Sequence, residues 1–380
     1  MSDEGNRGLS GIRVIEMASY ISGPMAGSLL GELGAEVIKL EHPPTGDPFR
    51  GWGSAESPRA SFVAYNADKA SVCVDWIKER DWFDELLKTS DVLLSNFRPV
   101  TQVKLGLTYD QLKLVNPELI VCNITGFGKF GEYAERPCYD AVAQAMSGLM
   151  SQLTDLESPE CVGPAMSDTI AGLYSAIGVI TALVERQKTG LGRAVDVSMV
   201  GARLSFLRGS VGTELLDGAK SGRLTRAMSS QSYAFVGSDG EAFVVHLSTP
   251  TKFWLGLLNA VGRPELAQDD RFKDKKSRVR HYRELEQELQ GEFSKASREE
   301  WLRRLSELDV PCGPVLSAAQ AATNTTVLGR VFSDPAQQFE ASKRGWLEGL
   351  IGDVQAVAPS IGADNVRFGL APFEADKVEA

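Results

Sequence analysis

The sequence predicts an α/β fold with a large domain built on a mostly parallel sheet and a second, smaller α+β domain. Three observations support this prediction. Short apolar segments alternate with helical segments through the first half of the chain, which is typical of a parallel sheet with helices on both faces. After about residue 210 the pattern changes to a hairpin followed by helices. The length of 380 residues also suits about two domains.

The first domain is predicted to contain strands separated mainly by helices. The strands are expected at 12–16, 36–41, 71–75, 91–95, 119–123 and 193–199. One helix begins at Gly23-Pro24 and ends at Gly34, and a second helical stretch covers about 78–88. This alternation predicts a Rossmann-like domain. Ligands of such sheets bind beyond the carboxyl ends of the strands, so the loops there are the candidate site.

A long helix is predicted from Asp168 to about Gly190. Its apolar residues recur with the period of an amphipathic helix, at Ile170, Leu173, Ile177, Ile180 and Val184. Small residues on its other side would let a neighbouring group approach closely. Asp168 has two interpretations here. It is either an N-cap, which accepts a backbone N–H bond and contributes about 1 kcal/mol, or a carboxylate nucleophile that faces a bulky substrate.

The smaller domain is predicted over 225–320, and linkers join it to a large domain formed by 1–210 and 325–380. A loop rich in Gly, Ser and Arg is expected at 218–231. Strands at 232–236 and 241–247 then form a hairpin around Asp239-Gly240. Helices are expected at about 250–261, 278–294 and 297–308. From about 325 the chain is expected to be irregular and to return to the large domain.

The composition argues against several classes of function. A net charge of −10 disfavours general binding to nucleic acid or to an anionic membrane. No apolar run approaches the roughly 18 residues of a membrane span, and the polar, acidic N-terminus does not resemble a signal peptide. The five cysteines are scattered, and the three histidines form no metal-binding motif. We therefore expect a cytoplasmic protein with reduced thiols that binds no metal, nucleic acid or membrane.

Motifs for nucleotide chemistry are missing from the sequence. The loop at 18–27, after the first strand, lacks the GxGxxG of dinucleotide-binding enzymes, and 126–131 lacks the Gly-Lys-Ser/Thr of a P-loop. No GxSxG element indicates a serine hydrolase. What remains is a set of loops at strand ends that could converge on one edge of the sheet. Within them Arg98 and Lys104 are either cations for phosphates or ordinary surface charges.

Several short motifs follow one another in a specific order. They are Asn96-Phe97-Arg98-Pro99, Gly126-Phe127-Gly128, Tyr139-Asp140 and Ser167-Asp168, together with 11–16, 34–41, 189–199 and 310–315. This ordered set resembles the family III coenzyme A transferases. That family includes formyl-CoA transferase, carnitine CoA-transferase and the related α-methylacyl-CoA racemases. Each motif alone is weakly specific, whereas their order over roughly residues 10–330 is strongly specific.

The resemblance implies an interlocked homodimer and an enzyme whose nucleophile is Asp168. An aspartate with an ordinary pKa of about 3.9 is ionised at pH 7, and the helix N-terminus is expected to keep Asp168 so. The carboxylate would attack an acyl-CoA, form an aspartyl-acyl anhydride and then an aspartyl-CoA thioester, and pass CoA to a carboxylic acid. Coenzyme A would thus be a substrate, with no permanently bound cofactor. Succinyl-CoA is a candidate donor.

The resemblance also implies the residues that hold the substrates. Contacts to coenzyme A are expected from His42, Val74, Asp75, Asn96, Phe97, Arg98, Lys104, Tyr139 and Asp140. The acyl pocket is expected to be bordered by Ile21, Ser22 and Tyr139. Two positions depart from formyl-CoA transferase. His42 replaces an arginine on the adenine side, and Ile21 replaces a glutamine that meets oxalate, so an apolar side chain there argues against oxalate as acceptor.

Two other functions compete with the transferase. A racemase or epimerase needs a second acid-base group opposite Asp168, and the racemases have a histidine where this chain has Tyr139. A tyrosine with a pKa of about 10 is a poor base at neutral pH. The other alternative is a catalytically silent CoA-binding subunit. The presence of Asp168 argues against it.

Overall fold

The computed structural model describes residues 7–52, 60–248, 251–324 and 357–374. These residues form two compact units. The large unit takes in 7–52, 60–150, 160–212 and 357–374, and the small unit takes in 151–159, 213–248 and 251–324. The small unit therefore includes 151–159, which the sequence assigns to the large domain. The predicted return of 325–356 and 375–380 lies outside the described residues.

The large unit is built on a parallel sheet of six strands, which confirms the predicted α/β fold class. The strands are β1 (Arg13–Met17), β2 (Glu36–Glu41), β3 (Ala70–Cys73), β4 (Val92–Ser95), β5 (Ile120–Thr125) and β6 (Ala194–Ser198). Their order across the sheet is β3-β2-β1-β4-β5-β6. From β1 the strands β2 and β3 are added on one side, and β4, β5 and β6 are added on the other. The position between β1 and β4 is therefore the switch point of the sheet, where a ligand crevice is expected.

The described helices alternate with these strands and continue beyond them. In chain order they are α1 (Ser22–Glu32), α2 (Ala60–Asn66), α3 (Arg80–Lys88), α4 (Pro99–Leu105), α5 (Tyr109–Leu112), α6 (Asp140–Met146), α7 (Leu149–Leu153), α8 (Met166–Thr189), α9 (Met199–Phe206), α10 (Arg208–Leu216), α11 (Thr225–Ser230), α12 (Lys252–Val261), α13 (Lys275–Arg280), α14 (Tyr282–Phe293), α15 (Arg298–Glu307) and α16 (Ala318–Ala322).

The central strands are apolar on both faces because each face of the sheet is covered. Successive side chains of a strand point to opposite faces. On one face Val14 and Val92 pack with residues of α1 and α8. On the other face Ile15 and Leu93 pack with Phe83 of α3. This double burial explains why the strands show continuous apolar runs in the sequence instead of alternating polar residues.

One of the small residues of α8, Gly172, faces another helix, α1. A Cβ atom at Gly172 would lie 2.8 Å from the Met25 side chain and 2.9 Å from the carbonyl oxygen of Ser22. Helix α1 therefore packs directly on α8 where Gly172 leaves room. The prediction that small residues let a neighbouring group approach this helix closely is confirmed at Gly172, and the neighbouring group is α1.

Helix α8 is also the one described helix that is long and apolar enough to span a membrane by length and composition. Half of its most apolar stretch is buried within the chain. It packs on α1, β5 and β6. A buried core helix passes the same test, and these contacts are those of a core helix.

The small unit contains an antiparallel sheet of three described strands. The predicted hairpin is present as β7 (Ser232–Val236) and β8 (Ala242–His246), and β9 (Cys312–Pro314) adds a strand that the sequence analysis misses. The predicted loop at 218–231 contains α11, and the predicted helix at 278–294 is divided at His281. Aromatic residues fill the core, with Phe293 4.5 Å from Phe235 and 5.1 Å from Trp301 between ring centres.

The described part of the tail covers the edge of the large sheet. The side-chain amide of Asn365 donates to the carbonyl of Cys73 over 3.0 Å and accepts from the Cys73 N–H over 2.8 Å. The Asp364 carboxylate accepts from the Ser71 N–H over 2.9 Å. These bonds satisfy backbone groups that the edge strand β3 would otherwise leave open.

Candidate active site

The first turn of α8 places Asp168 without using its side chain as a cap. The helix begins at Met166, so Asp168 is its third residue, and no side chain of the N-cap residue Ala165 bonds to the turn. The cap comes from another helix. The Oδ1 atom of Asp140 accepts from the Ser167 N–H over 2.6 Å and lies 3.4 Å from the Asp168 N–H. The N-cap interpretation of Asp168 is therefore wrong, and its carboxylate stays available for chemistry.

The surroundings of Asp168 favour its neutral form. Burial, joined by the negative charge of Asp140, raises the pKa of Asp168 to about 7, although a hydrogen bond from the Ser22 hydroxyl opposes this. The expectation that the helix N-terminus keeps Asp168 ionised is thus wrong. Near neutral pH this carboxyl group exists in both forms. A carboxylate lifted to such a pKa is a stronger nucleophile when it is ionised.

Asn96 connects the switch point of the sheet to Asp168. It follows β4, and its Nδ2 atom donates to the Ser19 carbonyl over 2.7 Å while its Oδ1 atom accepts from the Ser19 N–H over 3.1 Å. The same Nδ2 atom lies 3.5 Å from the Ser22 hydroxyl oxygen. Asn96 therefore fixes the loop that carries Ser22, and Ser22 in turn bonds to Asp168. The predicted role of Asn96 in binding coenzyme A stays a prediction.

An aromatic cluster lies beside this loop. Its members are Tyr20, Phe49, Trp52, Tyr65 and Tyr139, linked pairwise by ring-centre distances of 5.7 to 6.2 Å. The hydroxyl groups of Tyr20 and Tyr139 are hydrogen-bonded to each other. Burial raises the pKa of the Tyr65 hydroxyl, a hydrogen bond with Thr169 opposes this shift, and the negative charge of Asp168 adds to it. Tyr139, which is predicted to border the acyl pocket, thus belongs to a larger aromatic cluster near Asp168.

A buried network of ion pairs contacts the aromatic cluster through Tyr20. Lys39 of β2 contacts both Glu16 and Asp47 over 2.9 Å, and Lys69 contacts the other Glu16 oxygen over 2.6 Å. Asp47 also accepts from the Tyr20 N–H over 3.1 Å. This bond holds Tyr20 at a φ of 65°, a left-handed conformation that is uncommon for a residue with a side chain.

This network was not predicted from the sequence. A signal was available, because Lys39 and Glu41 stand in a strand that is otherwise apolar. Charged residues in a strand buried on both faces must find partners inside the protein.

The glycine loop after β5 brings Asp140 to α8. A Cβ atom at Gly126 would lie 2.2 Å from the Cβ of Cys138, so only glycine lets the segment before α6 lie this close to the strand. Burial raises the pKa of the Cys138 thiol to about 11, and the negative charges of Asp168 and Asp140 add to this. The thiol is therefore uncharged. The Gly128 N–H donates to the Thr125 hydroxyl over 3.0 Å.

Of the residues predicted to bind coenzyme A, Tyr139 and Asp140 lie at the start of α6, and the others form two groups, one after β2 and β3 and one after β4. After β2 and β3, the His42 ring lies edge-on to Trp76 at 5.3 Å, and its Nε2 atom is 3.8 Å from Asp75. Val74 is buried beside them. Of these side chains His42 is exposed, whereas Val74 and Trp76 are buried. The use of this group for coenzyme A stays a prediction.

The second group follows β4. Phe97 packs partly buried against the core. Arg98 is exposed, and its guanidinium donates to the Glu135 carbonyl over 3.0 Å. Lys104 is exposed in the last turn of α4. Both cations are therefore exposed, Arg98 at the start of α4 and Lys104 in its last turn. Their binding to the phosphates of coenzyme A stays a prediction. Within the described residues, no group of three or more His, Cys, Asp or Glu side chains is placed to hold a metal ion.

Comparisons with known proteins agree with this architecture. CoA-transferase family III matches residues 9–365. A succinate–glutarate CoA-transferase of Agrobacterium fabrum is 33% identical over 344 residues, which cover 87% of this chain and 86% of the relative. An acetyl-CoA:oxalate CoA-transferase of Acetobacter aceti is 32% identical, with 82% of each chain covered.

A solved structure is also similar to this chain. The crystal structure of a CAIB/BAIF family protein from Brucella suis superimposes with a TM-score of 0.80 at 30% identity, covering 96% of this chain and 99% of the other. The match of sequence and fold extends over nearly the whole length. The chain therefore belongs to the family III CoA-transferases.

Proposed function

We propose that this CoA-transferase works through covalent intermediates on Asp168. The observation that carries the proposal is that Asp140, and not Asp168, caps the start of α8, so the Asp168 carboxylate is not used as the helix cap. The carboxylate attacks the thioester carbonyl of an acyl-CoA and releases CoA thiolate, which gives an aspartyl-acyl anhydride. The thiolate then attacks the aspartyl carbonyl and releases the first acid. A second acid attacks the resulting aspartyl-CoA thioester, and CoA moves to the new acyl group.

The acceptor is proposed to be a small carboxylic acid, with succinyl-CoA as a candidate donor. The names of the two relatives above include succinate, glutarate and oxalate, all of them dicarboxylic acids. Ile21 precedes α1 next to Ser22, and its apolar side chain disfavours oxalate, which is polar along its whole length. The aromatic cluster likewise favours an acyl chain with methylene groups over oxalate.

A homodimer is proposed from the exposed apolar residues of the large unit. Along α8, Leu173, Ile177 and Val184 are exposed, and Leu204 and Phe206 of α9 are exposed as well. Apolar side chains at this spacing on a helix form a continuous stripe, and large exposed apolar patches usually mark interfaces. An interlocked arrangement of the two chains is part of this proposal. A cytoplasmic location is also proposed, and the five free thiols support it.

The racemase alternative would need Tyr139 as its second base. The Tyr139 hydroxyl shares a hydrogen bond with Tyr20, which argues against that role. Deuterium incorporation at the α-carbon of an acyl-CoA without an acceptor acid is the result that would favour this alternative. A silent CoA-binding subunit is favoured instead if the purified chain forms no covalent CoA adduct.

The proposed function is tested with a panel of carboxylic acids and two donors, succinyl-CoA and acetyl-CoA. Mass spectrometry of the CoA products identifies the accepted acids, and hydroxylamine traps the thioester as an aspartyl hydroxamate at Asp168. We expect Asp168→Ala to abolish both exchange and trapping. The control is Asp110→Ala, which removes an exposed carboxylate paired with Lys113 and should retain full activity. Wild-type turnover in Asp168→Ala would show that the covalent mechanism is wrong.

A further inference from the structure

A buried arginine close to the nucleophile has no hydrogen-bond partner. Arg203 lies in α9, and its relative exposure is 0%. Across the described residues, none of its three guanidinium nitrogens is hydrogen-bonded. Burying a cation with unmet donors is costly, because both the charge and the N–H groups lose their hydration. Such a residue needs a compensating charge nearby.

The compensating charge is that of Asp140. Helix α9 packs against α6, whose first residue is Asp140. Burial lowers the pKa of the Arg203 guanidinium, and the negative charge of Asp140 opposes this shift. The guanidinium carbon also lies 5.2 Å from the centre of the Phe206 ring, which is a cation–π contact.

Asp140 transmits this charge to the nucleophile through hydrogen bonds. Its Oδ1 atom holds the N–H groups of Ser167 and Asp168, and its Oδ2 atom accepts from the Gln144 side chain. One carboxylate thereby ties α6 to the first turn of α8. Whatever fixes Asp140 also fixes the backbone that carries Asp168.

We propose that Arg203 is a positioning residue for the CoA-transferase reaction: its buried guanidinium balances the charge of Asp140 where that carboxylate caps α8, and so keeps Asp168 in place. The proposal rests on the role of Asp168 proposed above. Arg203 makes no contact with the substrates in this role. It acts through Asp140 on the geometry and the electrostatics of the nucleophile.

The charged and titratable groups around Asp168 come from several elements. Asp140 lies on α6 and the Tyr65 hydroxyl on α2, and the Cys138 thiol precedes α6. Arg203 faces Asp140 from α9. On β6, which also packs on α8, the ionisable group is Asp196, and it is paired with Lys129 over 2.7 Å. On α1, Glu32 lies at the end of the helix opposite to Ser22. Among these groups, Arg203 is the cation that faces Asp140.

The test compares Arg203→Met, which removes the charge, with Arg203→Lys, which retains it. The readout is the rate of hydroxamate formation at Asp168 from succinyl-CoA between pH 5 and 9, together with kcat and KM. The acid limb of this pH profile is the part in which the rate rises with pH as Asp168 ionises. In Arg203→Met the acid limb should move to higher pH by about one unit, because the carboxylates ionise less readily without the nearby cation. At pH 6 its kcat should fall about tenfold, while KM for the acyl-CoA changes little. Arg203→Lys should keep the wild-type limb.

The control is Arg208→Met, which removes an exposed arginine from the next helix, α10. It should behave as the wild type. The proposal is overturned if Arg203→Met has the wild-type acid limb and a kcat within about twofold of it. It is also overturned if Arg203→Lys shows the same shifted limb as Arg203→Met, because the retained charge would then have no effect.

A double-mutant cycle keeps the test independent of activity. The urea midpoints of the wild type, Arg203→Met, Asp140→Asn and the double variant give the coupling between the two side chains. We expect Arg203→Met to lower the midpoint less in the Asp140→Asn background, because no unbalanced carboxylate remains there. Zero coupling overturns the proposal. If the wild type forms no adduct at Asp168, the proposed function fails while the coupling still reports on Arg203. If Arg203→Met does not fold, Arg203→Lys and the double variant decide.

Discussion

Asp168 can act as a nucleophile only in its ionised form, so pH should control the first step of the reaction. With a pKa of about 7, the ionised fraction rises about tenfold for each pH unit below that value and levels off above it. We therefore expect the rate of adduct formation from saturating acyl-CoA to follow this curve. Stopped-flow or quenched-flow measurement between pH 5 and 9 checks it. A rate that is constant from pH 5 upward would mean that burial does not raise the pKa of Asp168.

A matched variant separates the two causes of the raised pKa of Asp168, which are burial and the negative charge of Asp140. Asp140→Asn removes the negative charge beside Asp168 but retains an oxygen that can cap α8. The acid limb should then move to lower pH, because burial alone remains to raise the pKa of Asp168. Movement in the opposite direction would show that Asp140 stabilises the ionised nucleophile.

The same carboxyl group should lower the stability of the protein at alkaline pH. Its pKa is higher in the folded state, about 7, than the ordinary 3.8, so folding favours the protonated form. The stability that this form contributes is full below about pH 4 and is lost as the pH rises through 7. At 1.36 kcal/mol per pH unit, the ionised group costs up to about 4 kcal/mol at pH 8. Asp168→Asn should consequently be more stable than the wild type at pH 8 and similar to it at pH 4, measured by urea unfolding.

The residues at the site differ in how far the sequence predicts them. Asp168 and Asp140 stand in recognisable motifs, so their presence at the site is predictable. Their roles are not, because the cap of α8 comes from a residue 28 positions away from Asp168. Arg203 lies outside every motif, and only its burial without partners reveals it. A sequence pattern records local spacing, whereas these contacts arise when separate helices pack together.

At the scale of elements, the contact between α1 and α8 sets the distance from Ser22 to Asp168. Gly172 allows this contact, since a Cβ atom there would meet Met25 and the Ser22 carbonyl at less than 3.0 Å. We expect Gly172→Ala to cost about 1 to 3 kcal/mol of stability through overpacking. It should also reduce kcat, because α1 must shift together with Ser22. Urea unfolding and steady-state kinetics measure both effects.

Gly209→Ala is the matched control for this change. Gly209 also lies within a helix, α10, but a Cβ atom there would meet nothing within 4 Å. Alanine should stabilise that helix by up to about 1 kcal/mol, because it restricts the unfolded chain and favours the helix. Equal effects at the two positions would mean that the close packing of α1 on α8 is unimportant.

Element prediction succeeded where a pattern is long and regular. Strands β1, β2, β4, β5 and β6 follow apolar segments bounded by turns, and the structure places them within a few residues of the prediction. It failed where the pattern is short or polar. Helix α11 lies within a stretch rich in Ser and Arg, and β9 contains Gly313-Pro314. Both elements depend on packing within the small unit, which local sequence does not record.

At the scale of the molecule, the order of the strands collects distant residues at one edge. The loops after β1, β2, β4 and β5 carry Tyr20, His42, Asn96 and Gly126, although these residues are spread over more than 100 positions. Parallel strands place all their carboxyl ends on the same side, and the reversal between β1 and β4 opens a crevice there. The sequence predicts this convergence because it depends on topology alone. The buried ion network beneath it depends on side-chain partners and was not predictable in the same way.

The exposed apolar stripe on α8 and α9 leads to a prediction for the assembled protein. If it is the homodimer interface, a charge at its centre must be desolvated on association, which is costly. We expect Ile177→Glu to weaken or abolish the dimer, as measured by sedimentation velocity across a range of concentrations. Leu114→Glu is the control, since Leu114 is 82% exposed on the loop after α5, away from the stripe. A wild-type chain that sediments as a monomer at every concentration would contradict the proposal.

Interlocking makes a further demand that an ordinary dimer does not. Two chains that pass through each other can separate only if at least one of them unfolds in part, so exchange of subunits must be as slow as unfolding. Tagged and untagged wild-type dimers should therefore not form mixed dimers over days at 25 °C, yet should do so after unfolding in urea and refolding together. Native mass spectrometry distinguishes the tagged dimer, the untagged dimer and the mixed dimer by their masses. Mixing within minutes without denaturant would leave a dimer held by the α8 and α9 stripe alone, with the chains side by side and not interlocked.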